Sequence, residues 1–415
     1  MNSLLFWVLM LFAFYFFYAM GTRSVAARAA ATAQQAPPVI PPERLAACEA
    51  KLAPLMLIRA HRVVGEILEF EGKLTRNADI VFQRIQESFA GETITPMLLE
   101  GEENEARVLL VPAAKVMPNE RERPNWALHW GLFAATIATT TWAGALHAGV
   151  NLLQEPARFA VGLPYSLGLL LILGAHELGH YFTAKAHGIK VTPPYFIPIP
   201  FALGTFGAFI KIKSLTPNRR ALFDVAVAGP LAGLAFAIPA LLIGLRQSQL
   251  VPNNGPESLG HAGVSISSSV LLACLAKVSL GASVVEGQQL LLHPLAFAGW
   301  LGLIVTALNL LPIGQLDGGH ISHALFGSRH AHAVSMVALV SLFLLALFVW
   351  PGLMFWAFIV FFMAGTRDAP AANDVTPLGP PRKALACFAF LLLLLIIVPV
   401  PRALYEGLSV HGPYL

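Results

Sequence analysis

The sequence predicts a polytopic α-helical membrane protein with one small soluble α+β domain near its N-terminus, on three observations. First, the chain has 415 residues, of which 56% are hydrophobic and 12% charged, with a mean hydropathy of +0.66. A soluble domain carries about 25% charged residues, so this surface lacks roughly half the charge it would need in water. Second, charge is concentrated: residues 23–123 hold 13 of the 27 Lys and Arg and 14 of the 23 Asp and Glu. Third, apolar stretches long enough to cross a bilayer recur after Arg123. A soluble globular enzyme is excluded. The net charge of +4 comes without a Lys/Arg run, so no nucleic-acid partner is expected. Cys48, Cys274 and Cys387 lie far apart, which argues against a disulfide framework or a thiolate metal site.

In chain order, residues 1–22 read as a membrane anchor. The apolar run 4–20 has no basic residue before it and Arg23 and Arg28 after it. That asymmetry favours an anchor over a cleaved signal peptide and puts its C-terminal side in the cytoplasm. Residues 23–58 read as an Ala/Gln/Pro-rich linker and lead-in helix, and 59–123 as the soluble domain. In that domain 63–71 alternates like a strand. Asn77 is placed to cap a helix through Phe89 with Ile80, Ile85 and Phe89 as its stripe, and 94–99 and 107–112 read as two further strands, a βαββ unit.

Residues 124–402 form the membrane core, with spans expected at 126–148, 158–186, 221–245, 286–311 and 384–400, and 403–415 form a tail. The stretch 334–363 is broken by Trp350-Pro351-Gly352 and reads as a hairpin of two short helices or one kinked helix. The total is about six to eight spans. Lys185, Lys190, Lys211, Lys213, Arg219 and Arg220 gather at one side, which the positive-inside rule makes cytoplasmic. A bacterial inner membrane is the expected location, with the soluble domain and site loops toward the cytoplasm.

Nine acidic residues follow Arg123, and two of them stand where a bilayer penalises charge most. Glu177 lies in LLLILGAHELGHYF between His176 and His180. On a helix those histidines share one face, the spacing that holds a zinc ion, and Glu177 beside them suits a general base for metal-bound water. A catalytic zinc site takes three protein ligands and one open position. Asp317, in LNLLPIGQLDGGH, closes an apolar span at a Pro/Gly-broken turn. On residue chemistry alone it reads equally as the third ligand or as the cap of the next helix. His187 lies near the cytoplasmic end of the motif helix, where no zinc role is expected; His320 and His323 read either as partners that orient a metal ligand or as interfacial side chains, Asp224 as a cap or a partner for Arg219 and Arg220, and Glu286 as a span boundary.

HELGH on an apolar helix, followed much later by Asn309, Pro312, Asp317 and Gly318 in NLLPIGQLDGG, resembles the site-2 protease family of intramembrane zinc metalloproteases. The resemblance runs over about residues 60–400. With no recognisable PDZ domain, and with GTFGAFIKIKSLTPNRRALFDVAVAGPLAG and Asp374-Val-Thr-Pro-Leu378, the chain is similar to the ethylene-dependent gravitropism-deficient and yellow-green subgroup. The resemblance implies one Zn²⁺ per chain on His176, His180 and Asp317, with Glu177 as base and Asn309 and Pro312 positioning substrate. It further implies a membrane-entering β-loop in which Phe206 and Gly207 position the substrate, and as substrate a membrane protein with a transmembrane helix, cut in or near that helix in regulated intramembrane proteolysis. One departure is Glu71-Gly72-Lys73-Leu74, where plant members have a Gly-Asn-Leu-Arg element. The alternative is a non-catalytic scaffold or chaperone of the same fold. The sequence leaves the oligomeric state open.

Overall fold

The computed structural model describes residues 41–401 except 103–104, 117–123, 201–202, 253–262, 265–268, 282–287, 349–352 and 366–369. The expected anchor, most of the linker and Glu286 lie outside the described residues. In chain order the elements are α1 (Pro42–Leu52), β1 (Met56–Val64), β2 (Ile67–Leu74), α2 (Ala78–Ser88), β3 (Ile94–Glu100), β4 (Ala106–Pro112), α3 (Trp126–His147) and α4 (Leu163–Ala186). There follow β5 (Tyr195–Pro198), β6 (Thr205–Phe209), α5 (Arg219–Leu245), β7 (Gln249–Pro252), β8 (Gly263–Val264), α6 (Val270–Leu280), β9 (Gln288–Leu291) and α7 (Pro294–Leu310). The last are α8 (Asp317–Phe326), α9 (Ser328–Phe348), α10 (Leu353–Ala364) and α11 (Pro380–Ile397). Two compact units divide the chain. One takes 1–118, 312–315 and 322–377, and the other 119–311, 316–321 and 378–415.

The first unit contains an antiparallel sheet in the order β1-β2-β4-β3. The stretch expected as one strand at 63–71 is a hairpin. Val64 pairs with Ile67 across the two-residue turn Gly65-Glu66, with Gly65 at φ 62°. Glycine takes that backbone without a Cβ penalty, so alternation on both sides of it belongs to two strands, and the unit is ββαββ. In α2 the Asn77 side chain accepts from the Asp79 N–H at 2.9 Å, the expected cap. Its inner face is Val81, Phe82 and Ile85, whereas Ile80, expected in the stripe, is exposed. Leu52, Met56, Phe70, Ile85, Leu98 and Leu110 form the core. In the same unit, Phe343 of α9 meets Phe358 and Phe361 of α10 at 5.4 and 6.4 Å. Side chains of α9 and α10 touch in this way only if the two helices lie side by side, so they pack as a helical pair rather than as one continuous helix.

In the second unit α4, α5 and α7 pack on one another, with α11 and α6 beside them. Among the described residues four helices are long and apolar enough to cross a membrane: Pro156–Ala186, Arg219–Leu245, Ser328–Phe348 and Pro380–Ile397. The 22-residue α3 is not among them. It carries His129, Thr136, Thr139, Thr140 and Thr141, which lower its hydropathy. The Thr140 hydroxyl shares a 2.7 Å hydrogen bond with Ser166 of α4, and Thr139 donates to the Gly204 carbonyl at 2.7 Å. The span expected at 286–311 begins only at Pro294, where His293 caps α7 after strand β9.

Candidate metal centre

Helix α4 starts with Pro at its first turn and ends at Gly188, φ 71°, just after His187. Between these ends its apolar turns carry His176 and His180 on one face, and both are buried. Their Nε2 atoms lie 3.1 Å apart. The Nδ1 of His180 is 2.8 Å from the Val225 carbonyl of α5. A carbonyl can only accept, so Nδ1 carries the proton and Nε2 presents its lone pair to the cluster.

This contact depends on how closely α4 and α5 approach. A Cβ on Gly229 would overlap the His180 ring, and one on Gly233 would meet the His176 Cβ at 3.3 Å. Gly229 is thus what lets the helix backbone lie against the imidazole. Pro230, which has no N–H for the Ala226 carbonyl, loosens the same turn.

Asp317 enters from 137 residues further on. The chain leaves α7 at Leu310, runs unwound to Leu316, and starts α8 at Asp317. The Asp317 Oδ2 lies 3.4 Å from the Nε2 of His176 and 3.4 Å from that of His180. Zinc bound tetrahedrally at about 2.0–2.1 Å spaces its ligand atoms about 3.3 Å apart. The donor set, two imidazoles and one carboxylate, and its spacing therefore fit such an ion. No other group of three His, Cys, Asp or Glu among the described residues comes together this way.

Glu177 is 7% exposed, next to His176, and the Ile210 backbone N–H is directed at its carboxylate. The side-chain amide of Asn309, on the last turn of α7, lies 3.3 Å from the His176 Nε2. The structure thus brings His176, Glu177, His180, Asn309 and Asp317 together. Pro312 lies in the unwound stretch between α7 and α8. Phe206 and Gly207 lie on β6, which pairs antiparallel with β5 and leads to Ile210. Phe206 is exposed and Gly207 half-buried.

Other residues fall elsewhere. His187 contacts Asp224 at 3.0 Å rather than joining the cluster. Asp224 also accepts two bonds from Arg382 of α11 at 2.7 Å each, a partner the sequence did not indicate. His323 pairs with Asp374. The Val225 carbonyl and the Ile210 N–H are backbone groups, which no residue pattern could reveal. Gly229 stood within AVAGPLAGL, but its role against His180 needed the helix pair.

Residues 164–349, which include the two histidines, Glu177, Asn309 and Asp317, match Peptidase family M50. The chain is 31% identical over 335 residues to "Probable zinc metalloprotease EGY2, chloroplastic" of Arabidopsis thaliana, covering 80% of this chain and 59% of the relative. It is 36% identical over 248 residues to "Probable zinc metalloprotease EGY1, chloroplastic" of the same plant, covering 60% and 45%. It is 29% identical over 365 residues to "Probable zinc metalloprotease EGY3, chloroplastic" of Oryza sativa subsp. japonica, covering 83% and 62%. The chain spans less than two thirds of the length of each. No solved structure matches.

Proposed function

We propose that the chain is a zinc-dependent membrane endopeptidase of the site-2 protease type, cutting a peptide bond in or near a transmembrane segment of another membrane protein. The observation that carries this reading is the convergence of His176, His180 and Asp317, with mutual donor distances of 3.1, 3.4 and 3.4 Å, beside Glu177 on an apolar span. The domain match and the relatives' names support it.

His176, His180 and Asp317 would hold the zinc ion. Bound there, zinc supplies Lewis acidity toward a scissile carbonyl and makes water a stronger acid. Glu177 accepts the proton of the attacking water and returns it to the departing amine. The Asn309 amide donates toward the carbonyl oxygen as it gains charge. The apolar helices around the cluster keep bulk water out, which strengthens each of these interactions.

A helical substrate shields its carbonyls by hydrogen bonds within the helix. It must therefore unwind, and the β5–β6 hairpin, entering the membrane, offers an edge for the extended segment beside Ile210 and Glu177. Pro312 shapes the turn that delivers Asp317, and Phe206 and Gly207 face the unwound substrate. The additional spans, α3 and the shorter α6, α7 and α10, cross or enter the membrane with the four long helices. Lys185, Arg219 and Arg382 lie at the helix ends that meet around Asp224, so we place that face in the cytoplasm. Release of a membrane-anchored factor would be one outcome of such cleavage.

The test is zinc content and cleavage of a single-span substrate in detergent for wild type, Glu177→Gln and Asp317→Ala. The expected result is one zinc per chain in wild type and Glu177→Gln, cleavage only in wild type, and weakened zinc in Asp317→Ala. A wild type that holds no zinc overturns the reading.

A further inference from the structure

Beyond the metal cluster, the most deeply buried ionisable pair outside the spans, among the described residues, is His323–Asp374. The Nε2 of His323 lies 3.0 Å from the Asp374 Oδ2, and each residue is 1% exposed. Burying such a pair costs both groups their hydration, so it is weak evidence for stability and better evidence for a defined register. What it registers is α8. This helix has ten residues and starts at Asp317, so it is too short to persist by itself and takes its position from what its side chains grip. Asp317 opens the helix, and His323 sits six residues later, about 120° around from it.

Asp374 is itself fixed. Its backbone N–H donates to the Leu98 carbonyl at 2.7 Å, and the Leu98 N–H donates to the Ala372 carbonyl at 2.7 Å. Residues 372–374 thereby extend the soluble sheet beyond β3 as a parallel bridge. Thr376 donates to Asp79 at 2.7 Å, in the first turn of α2, and Asn373 donates to the Thr376 hydroxyl at 2.9 Å. Asn373 and Thr376 are buried. One polar chain thus runs from the α2 N-terminus and strand β3 through 372–376 to His323.

We propose that Asp374 and His323 are positioning residues for the metal centre: their contact grips α8 six residues after Asp317 and sets the rotation and height of that helix, and so the placement of Asp317. The proposal rests on the zinc reading above.

The experiment uses the full chain in detergent, with zinc affinity measured against a chromophoric chelator and kcat and KM measured on a single-span substrate. Asp374→Ala is expected to weaken zinc by about 10-fold or more, the lower range for loss of a group that orients a ligand, and to lower kcat with KM nearly unchanged. Asp374→Asn keeps an acceptor for His323 and should recover most of that loss, which a general loss of folding would not do. Thr376→Val keeps the side-chain volume while removing the bond to Asp79, and serves if Asp374→Ala does not fold; it should shift zinc affinity in the same direction. Zinc affinity and kcat within twofold of wild type in Asp374→Ala, or in Thr376→Val if the alanine variant is lost, overturns the proposal. A wild type without zinc sinks the protease reading, whereas a zinc-loaded wild type with unaffected variants sinks this inference alone.

Discussion

Replacing Gly229 by alanine tests the link between helix packing and the metal centre. In an ordinary helix interior this change stabilises, by about 1 kcal/mol, because alanine is the better helix former. Here the new methyl would overlap the His180 ring at Nε2, Cε1 and Cδ2. Either the imidazole rotates or α5 moves off α4. Rotation breaks the 2.8 Å bond from Nδ1 to the Val225 carbonyl, a loss of about 0.5–1.5 kcal/mol. Overpacking of a tight contact adds about 1–3 kcal/mol. Even the low end of that sum cancels the propensity gain, and its middle leaves a net penalty of about 2 kcal/mol carried by the zinc-ligating residue. About 1.4 kcal/mol is tenfold in an equilibrium constant, so zinc affinity should fall by about tenfold or more. Competition with a chromophoric chelator reads this directly, with Gly233→Ala as the control, since its methyl meets the His176 Cβ at 3.3 Å and needs a shift of only a few tenths of an ångström. The control should stay within about threefold. Zinc affinity in Gly229→Ala equal to wild type would show that His180 is not held by the α4–α5 contact.

Three further outcomes are expected. Glu177→Gln should lower kcat by about 10²–10⁴-fold, the usual share of a general base, in a single-turnover assay while zinc content stays at the wild-type level; a smaller drop would move the base elsewhere. Cys48 is buried, and burial, with the Glu92 carboxylate adding to it, pushes its thiol above the ordinary range. Iodoacetamide at neutral pH should therefore label it slowly in the native chain and readily after unfolding, and equal rates would place α1 loosely. Asp224→Ala removes the acceptor of Arg382 and His187 at the ends of α4, α5 and α11. Since these groups are partly exposed, unfolding should shift down by only a few degrees, with zinc affinity unchanged; a loss of zinc would tie this network to the site.

Much of the site was legible in the chain because its chemistry is local. His176, Glu177 and His180 stand at a spacing that any helix turns to one face, and the apolar run around them makes the helix. The capping of α2 by Asn77 was equally local. The strand at 63–71 failed for a local reason too: alternation continues through Gly65-Glu66, and only pairing distinguishes one strand from two. The pairing of α9 and α10 needed Phe343 and Phe358 in contact.

Sequence by itself determined that the chain belongs in a membrane, that its charge is gathered in a small N-terminal domain, and that two histidines and a glutamate share one helix. These follow from composition and from the 3.6-residue period, which act over a few residues at a time. Tertiary structure decided that Asp317, across 137 residues, stands 3.4 Å from both imidazoles rather than merely capping α8. It also decided that Gly229 opens the space for His180, and that Asp374 reaches His323 from a segment bridged to the edge of the soluble sheet. Those distances arise from how helices and strands pack, and packing is set by the whole chain at once.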